Sequence, residues 1–114
     1  MPSTDLARSR AFYAGTLGLE VVGEDSFALV VRTADLTVRV TLVGKSFHVQ
    51  PFTVLGWEVD DIHATIRFLV ERNVAFVRVD GLDQDDDGVW TAPNGTQVAW
   101  FRDPDGNTLS LDHN

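Results

Sequence analysis

The chain has 114 residues, of which 44% are hydrophobic, and its 9 basic and 17 acidic side chains give a formal net charge of -8. This length fits one domain with a real core, and no apolar run approaches the roughly 18–20 residues that would span a bilayer. The acidic balance disfavours nucleic acid as a partner, because no cluster of Lys or Arg offsets the repulsion from phosphates. The sequence contains no cysteine, and its start shows no secretory signal, so we expect a cytoplasmic location.

The first half of the chain predicts one helix followed by three strands. Asp5 is the expected N-cap, because its carboxylate can accept hydrogen bonds from the first free amides of a helix. Apolar residues from Leu6 to Leu17 fall near helical spacing, and Gly18 is the expected C-cap. The β-like segments that follow lie at about 20–24, 27–32 and 37–42.

The second half predicts a strand at about 53–59 that leads directly into another helix. Asp60 or Asp61 can cap this helix, and it should end near Asn73, a residue that tolerates the left-handed conformation. A turn of sequence Asp-Pro-Asp-Gly at 103–106 joins the last two strands. Strands are expected after the helix at about 75–79, 96–102 and 108–112.

The two halves repeat each other at an offset of 56 residues. The matching positions are Asp5 with Asp61, Ser9 with Thr65, Phe12 with Phe68, and Val21 with Val77. The pattern is therefore β-α-β-β-β twice, with a hinge near 46–51. Only four residues precede Asp5, so the first strand is predicted to be either a stub or truncated.

Several motifs in this order resemble the vicinal oxygen chelate superfamily, which includes glyoxalase I, extradiol dioxygenases and bleomycin resistance proteins. They are Asp-Leu-Ala-Arg-Ser at 5–9, Phe-Tyr at 12–13, Leu-Gly-Leu at 17–19, Val-Asp-Asp-Ile at 59–62, and Phe-Arg-Asp-Pro-Asp-Gly-Asn at 101–107. The resemblance implies an α+β fold in which two βαβββ modules form curved, open mixed sheets with their helices outside. It implies a single domain over 1–114, with module one at about 1–48 and module two at about 52–114. It also implies a homodimer with its cleft between subunits.

The resemblance further implies a divalent metal, held in the family's enzymes by His, Gln or Glu from four strands. Here the first strand is too short to supply a ligand with confidence. The second position lies near Arg39, Val40 and Thr41, the third at Val54 and the fourth at Ser110. Aliphatic side chains and a neutral hydroxyl do not replace charged or imidazole ligands. We therefore expect no metal and no other cofactor, and we assign no catalytic residue.

A candidate ligand-binding face follows from the two-residue period of a strand. If Val54 lines the cavity, then Gly56 and Glu58 share its face. On the same reasoning Ser110 and, across the turn, Trp100 and Arg102 join them. The alternatives are that Trp100 fills a core and that Glu58 points to solvent. Two further aromatic residues, Trp90 and Phe47, are candidate cleft walls. Such a face suits a planar ligand, aromatic or cationic.

The three histidines and the acidic run have simpler interpretations. His63 is expected at the surface, whereas a metal site formed by His48, His113 and Glu58 is a weaker alternative. Residues 83–88 match the opening of a calcium-binding EF-hand loop, but its twelfth position is Asn94 in place of Glu. We interpret this run as a solvated acidic loop.

The resemblance, together with metal-ligand positions that lack suitable donors, implies a metal-independent, small-molecule-binding protein of the bleomycin resistance type that acts by antibiotic sequestration. The alternative is a glyoxalase- or dioxygenase-like lyase, isomerase or oxygenase that uses unconventional metal ligands or none. A regulatory or carrier domain is a third class. Because the residues at the metal-ligand positions lack suitable donor atoms, a binding function is favoured over catalysis.

Overall fold

The computed structural model describes residues 1–32, 37–43 and 53–114. The chain divides into two compact units, one formed by Met1–Val49 with Asp103–Asn107 and the other by Gln50–Arg102 with Thr108–Asn114. Each unit contains a four-stranded mixed sheet, which confirms the predicted α+β class. The predicted hinge at 46–51 lies outside the described residues. No helix in the described ranges is long and apolar enough to cross a membrane.

The first unit has its strands in the order β1-β4-β3-β2. The elements are β1 (Pro2–Ser3), α1 (Leu6–Arg10), β2 (Glu20–Glu24), β3 (Ala28–Arg32) and β4 (Thr37–Leu42). β1 is the predicted stub, and it pairs in parallel with β4, whereas the other pairs are antiparallel. One side of this sheet carries four aliphatic residues with less than 9% exposure, namely Leu29, Val31, Val38 and Val40.

The first helix begins as predicted and then changes type. The Asp5 carboxylate accepts a 3.1 Å hydrogen bond from the Arg8 amide, so Asp5 is the N-cap. After α1 the chain continues in a π-helical segment, Ala11–Thr16, and turns at Gly18 with φ 74°. The apolar spacing predicted one uniform helix over this stretch. A π-helix takes more residues per turn than an α-helix, so the regular α spacing does not extend past Arg10.

The second unit has the order β5-β8-β7-β6. Its elements are β5 (Thr53–Glu58), α2 (Ile62–Val70), β6 (Trp90–Thr91), β7 (Gln97–Arg102) and β8 (Thr108–His113). β5 runs parallel to β8, and the other neighbours are antiparallel. Asp61 caps α2 by accepting a 3.0 Å hydrogen bond from the Ala64 amide, and Asn73 has the expected left-handed conformation, with φ 69°.

The predicted strand at 75–79 is wrong. In place of a ladder, this stretch has an isolated bridge between Phe76 and Phe101 and a 2.8 Å hydrogen bond from the Val77 amide to the Trp100 carbonyl. A side chain takes the place of the missing ladder, because Gln84 accepts from the Val79 amide at 2.6 Å and donates to the Val77 carbonyl at 3.0 Å. β6 instead completes the sheet.

The second sheet has one face against α2 and another free of it. The helix-facing residues of β7 and β8 are fully buried, and with the buried residues of α2 they form the core of the unit: Ala99, Phe101, Leu109, Leu111, Ile62, Ile66 and Leu69. Because side chains alternate along a strand, the residues between these positions point to the opposite face. That opposite face carries the candidate site.

Candidate functional site

Strand register brings most of the predicted site residues onto one face of the second sheet. Trp100 pairs with Ser110, and Arg102 pairs with Thr108, in the antiparallel β7–β8 ladder. On the other side of β8, Glu58 lies beside Asp112 in the parallel ladder. Residues paired across a ladder project from the same side of the sheet. The face opposite α2 therefore combines an indole, a guanidinium, two hydroxyl groups and two carboxyl groups.

Two tryptophans lie side by side on this face. Trp90 pairs with Val98 in the β6–β7 ladder, two residues from Trp100 on the same strand. The ring centroids of Trp90 and Trp100 are 6.2 Å apart, and the ring planes are inclined by 30°. Both side chains are half-buried. Together they form a flat apolar surface on which another ring can stack.

Ser110 and Gly56 fit against each other at the centre of the face. A Cβ atom added to Gly56 would lie 2.2 Å from the Ser110 Oγ, so a larger residue at position 56 would force this hydroxyl to move. Ser110 is 5% exposed. The hydrogen bond from the Ser110 hydroxyl to Asp112 offsets the cost of burying this polar group.

Asp112 is a carboxyl group with altered acidity. Burial raises the pKa of Asp112 above its ordinary value, and the neighbouring Glu58 charge raises it further, while a hydrogen bond from Ser110 acts in the opposite direction. The carboxyl group therefore keeps its proton to higher pH than a solvent-exposed aspartate. This end of the face is acidic and can exchange protons.

An open groove of about 470 Å³ lies at the other end of the face. Trp100, Arg102, Thr108 and Thr53 line it from the sheet. The facing wall is supplied by residues from the segment that follows α2, namely Val77, Arg78, Val79, Asp80 and Leu82. The groove is large enough to admit one small organic molecule.

The wall of the groove depends on two residues that the sequence analysis did not identify. Arg78 donates to the backbone carbonyls of Gln84, Asp85 and Asp86 at 3.3, 2.5 and 2.9 Å. Gln84 also donates to the Gly88 carbonyl at 2.8 Å. Residues 77–88 are thus held in place by hydrogen bonds from these two side chains to the backbone, where a strand would be held by a ladder. No local sequence signal marks them, because their partners are backbone groups.

The expected position of Val54 requires a correction. An irregularity between Thr53 and Leu55 interrupts the β5–β8 register, so that Thr53 pairs with Thr108 while Leu55 pairs with Leu109. A bulge of this kind breaks the two-residue alternation. Thr53, and not Val54, consequently lies in the groove beside Trp100. Phe47 and His48 lie outside the described residues.

Among the described residues, the other titratable groups singled out from the sequence contact partners within the protein. His63 contacts the Asp87 carboxylate at 2.8 Å, and His113 contacts the Val59 carbonyl at 2.9 Å. Asp85 uses its Oδ1 to accept from two backbone amides within its own loop. Over residues 1–32, 37–43 and 53–114, no group of three or more His, Asp or Glu side chains could hold a metal ion.

The model of the glyoxalase/bleomycin resistance protein/dioxygenase superfamily matches residues 1–111 of the sequence. The chain belongs to this superfamily. No curated protein matches the sequence significantly.

Solved structures show the same glyoxalase-superfamily fold at low identity. A lactoylglutathione lyase from Agrobacterium tumefaciens is 16% identical, with a TM-score of 0.75, and the match covers 99% of this chain and 88% of that one. A glyoxalase/bleomycin resistance protein/dioxygenase from Alicyclobacillus acidocaldarius is also 16% identical, with a TM-score of 0.73 and coverage of 99% and 86%. An integron cassette protein from the mobile metagenome of the Halifax Harbour sewage outfall is 18% identical, with a TM-score of 0.77 and coverage of 100% and 93%.

The divalent metal implied for enzymes of this superfamily does not fit the residues at the corresponding positions. Val54 has no donor atom, and Ser110 offers a neutral hydroxyl that lies against Gly56. Among Arg39, Val40 and Thr41, on β4, there is no carboxylate or imidazole. Divalent metals in such sites need charged or imidazole ligands.

Proposed function

We propose that this member of the glyoxalase superfamily is a metal-independent, small-molecule-binding protein whose ligand stacks on Trp100. The observation that carries the proposal is the adjacency of the Trp90–Trp100 surface to an open groove on the same sheet face. Stacking planes beside a cavity are typical of sites for planar ligands. Val54 and Ser110, which stand at two positions where the resemblance implies metal ligands, lack suitable donors and so support a site that works without a metal.

The biological role included in this proposal is sequestration of an antibiotic in the cytoplasm, in the manner of bleomycin resistance proteins. A protein that only binds its ligand needs affinity and abundance but no reacting group. Glu58 and Asp112 would accommodate a cationic substituent of such a drug, because both carboxyl groups share the ligand face. Expression of the chain in a susceptible bacterium should raise the inhibitory concentration of the drug it binds.

Tryptophan fluorescence tests the binding site directly. Planar aromatic drugs are titrated into the protein, and Trp100→Phe is compared with Trp57→Phe, with calorimetry giving the affinity because Trp100→Phe removes the fluorophore that would report binding. Trp57 packs edge-on against the buried Phe101 in the core, with ring centroids 6.0 Å apart, so its replacement should leave binding intact. Loss of binding in Trp100→Phe alone supports the site. Equal binding by both variants and the unmodified protein contradicts it.

The metal-independent part of the proposal has its own measurement. Protein purified without chelator is analysed for its elements and titrated again after dialysis against chelator. We expect binding to be unchanged by the chelator. Stoichiometric metal that is lost together with binding would contradict the proposal.

We include a homodimer in the proposal, because the superfamily resemblance implies clefts formed between subunits. In the described part of the chain β2 and β6 are outer strands of their sheets, as are β1 and β5, and open strand edges favour association or covering. Val22 on β2 and Phe27 beside β3 are 44% and 71% exposed, which adds apolar surface to the first unit. Light scattering coupled to gel filtration gives the mass. A monomer at micromolar concentration would contradict this part.

One observation favours the enzymatic alternative. Asp112 carries a raised pKa on the ligand face and receives a hydrogen bond from Ser110, and such carboxyl groups serve as general acids or bases in enzymes. If the chain is a lyase or isomerase, Asp112→Asn should abolish turnover while binding persists. Recovery of every bound ligand chemically unchanged would favour sequestration.

A further inference from the structure

We infer that the ligand carries an anionic group, such as a carboxylate, that binds to Arg102 while its aromatic ring stacks on Trp100. This inference rests on the proposed function and specifies the chemical class of the ligand. Arg102 differs from the other arginines of the second unit in having a guanidinium group available to a ligand.

Each of the other three arginines in that unit already has a partner. Arg67 donates from Nε to the His63 carbonyl at 3.2 Å, and Arg78 donates to the three loop carbonyls. Arg72 lies over the Phe68 ring, 4.1 Å from its centroid. Within the described part of the chain, the Arg102 guanidinium is exposed and makes neither an ion pair nor a side-chain hydrogen bond.

Arg102 also lies where a ligand has room to bind. Its partner across the ladder is Thr108, and both line the groove together with Trp100. Trp100 and Arg102 are two residues apart on one strand, which places their Cα atoms about 7 Å apart on the same face. A ring on Trp100 can therefore carry a substituent that reaches the guanidinium. The planar fork of that group matches a carboxylate in two parallel hydrogen bonds.

The charge of the groove favours an anion over a cation. Arg78 and Arg102 both line it, against the single carboxylate of Asp80. The partners of Arg78 are neutral carbonyls, so its positive charge is not cancelled, and no described residue forms an ion pair with either arginine.

The acidic end of the face lies well away from the groove. Asp112 pairs with Val98, four residues from Arg102 on β7, so the two ends are separated by about 13 Å of strand. An anionic group at Arg102 therefore avoids strong repulsion from Glu58 and Asp112. The overall charge of -8 makes this basic groove a local exception.

Three naphthalene derivatives of matched size test the inference by isothermal calorimetry and tryptophan quenching. They are naphthoate, which is anionic, naphthamide, which is neutral, and naphthylmethylammonium, which is cationic. We expect naphthoate to bind about tenfold or more tightly than naphthamide, since charge-assisted bidentate pairs are the stronger hydrogen bonds. The cation should bind most weakly.

Arg102→Gln should remove the preference for naphthoate, and Arg102→Lys should restore only part of it, because lysine keeps the charge without the planar fork. Arg67→Gln is the matched control, since it removes one positive charge elsewhere in the same unit. Equal losses in Arg102→Gln and Arg67→Gln would show a long-range effect of net charge and overturn the assignment to Arg102.

The remaining outcomes separate this inference from the proposed function. If the three probes bind equally, or the cation binds best, and quenching still depends on Trp100, the anionic ligand is wrong while the binding site stands. If no probe binds or quenches, both the binding site and the inference drawn from it are contradicted.

Discussion

The hydroxyl group of Tyr13 donates a 2.6 Å hydrogen bond to Oδ2 of Asp103, a residue 90 positions further along the chain. Tyr13 is 0% and Asp103 is 5% exposed. The turn that contains Asp103 belongs to the first compact unit, although it is flanked in sequence by β7 and β8 of the second. This bond therefore ties the end of the chain to its first helical region.

Asp103 is the centre of a satisfied buried network. Its Oδ1 accepts from the amides of Asp105 and Asn107 at 3.0 and 2.9 Å, and its Oδ2 also accepts from the Asn107 side chain at 2.9 Å. Asn107 in turn donates to the Pro2 carbonyl at 3.0 Å. A buried carboxylate costs little when all its acceptor positions are used, and costs much more when one is left open.

Replacing Tyr13 by Phe should destabilise the protein by about 1.5–3 kcal/mol, because a buried carboxylate loses a hydrogen-bond donor. Urea unfolding at neutral pH, followed by fluorescence, measures this difference. Phe12→Leu is a comparison for lost ring packing, since Phe12 lies edge-on to the Tyr13 ring with centroids 5.3 Å apart and this variant keeps the hydroxyl. A loss in Tyr13→Phe no larger than that in the control would contradict the role of the hydroxyl.

The buried Tyr13 phenol should ionise in alkali only when the protein unfolds. Burial and, secondly, the Asp103 charge raise its pKa well above the ordinary value of 10.0. A raised folded pKa means that the stabilisation is complete below the unfolded pKa and is lost as pH rises above it. Because Tyr13 is the only tyrosine, phenolate absorbance should appear together with unfolding. Titration near pH 10 in a protein that stays folded would contradict this prediction.

Asp105 should contribute to stability in the opposite pH range. Burial acts to raise its pKa, but hydrogen bonds from Thr4 and the charge of Arg8 outweigh it, so that the pKa lies below 3.8. The stabilisation is then present above the unfolded pKa and is lost as pH falls through the folded value. The Arg8 guanidinium lies 2.9 Å from Oδ1, and the Asp105 side chain is 1% exposed.

Asp105→Asn should therefore lower the unfolding free energy by about 1–3 kcal/mol at neutral pH and reduce its decline in acid. Urea unfolding between pH 7 and pH 3 gives both quantities. Asp25→Asn serves as a comparison in an exposed turn, where Asp25 accepts from the Phe27 and Ala28 amides. Identical acid profiles for Asp105→Asn and the unmodified protein would show that the network contributes nothing.

Local chemistry was enough to predict the capping residues and most strands. β2 and β4 have the predicted bounds, and Asp5 and Asp61 cap the two helices. In each case the cause is short-range: a carboxylate beside free amides, or a run of β-branched residues between turns.

The features that could not be predicted from local sequence depend on residues distant in the chain or on an irregularity in strand pairing. The segment at 75–79 is rich in β-forming residues, yet its ladder is replaced by the side chain of Gln84. The bulge beside Val54 moved Thr53 into the groove, and a bulge leaves no compositional mark here. The turn at 103–106 was predicted from Pro, Asp and Gly, but its anchoring to Tyr13 was not, because a pattern of turn residues does not name a tertiary partner.

The site face was largely predictable because alternation in a strand is geometric. Trp100, Arg102 and Ser110 fall on one face as the two-residue period requires, and the ladder aligns Glu58 with Asp112. Their distribution into an acidic end and a basic groove was not predictable, because it depends on where residues 77–82 lie.

The contact between Gly56 and Ser110 gives the sharpest test of how the site face is built. A methyl group on Gly56 would lie 2.2 Å from the Ser110 Oγ but 3.6 Å from the Ser110 Cβ, which is an ordinary contact distance. Gly56→Ala should therefore force the hydroxyl to move, at a cost of about 1–3 kcal/mol in unfolding free energy.

Removing the hydroxyl should relieve this clash. The double variant Gly56→Ala with Ser110→Ala should be more stable than the sum of the two single losses, with a coupling energy of about 1 kcal/mol or more. Urea unfolding of all four proteins completes the cycle. Additive losses would mean that Ser110 rotates away freely. The burial of Ser110 against Gly56 would then not determine the shape of the face, and the hydrogen bond from Ser110 to Asp112 would be replaceable.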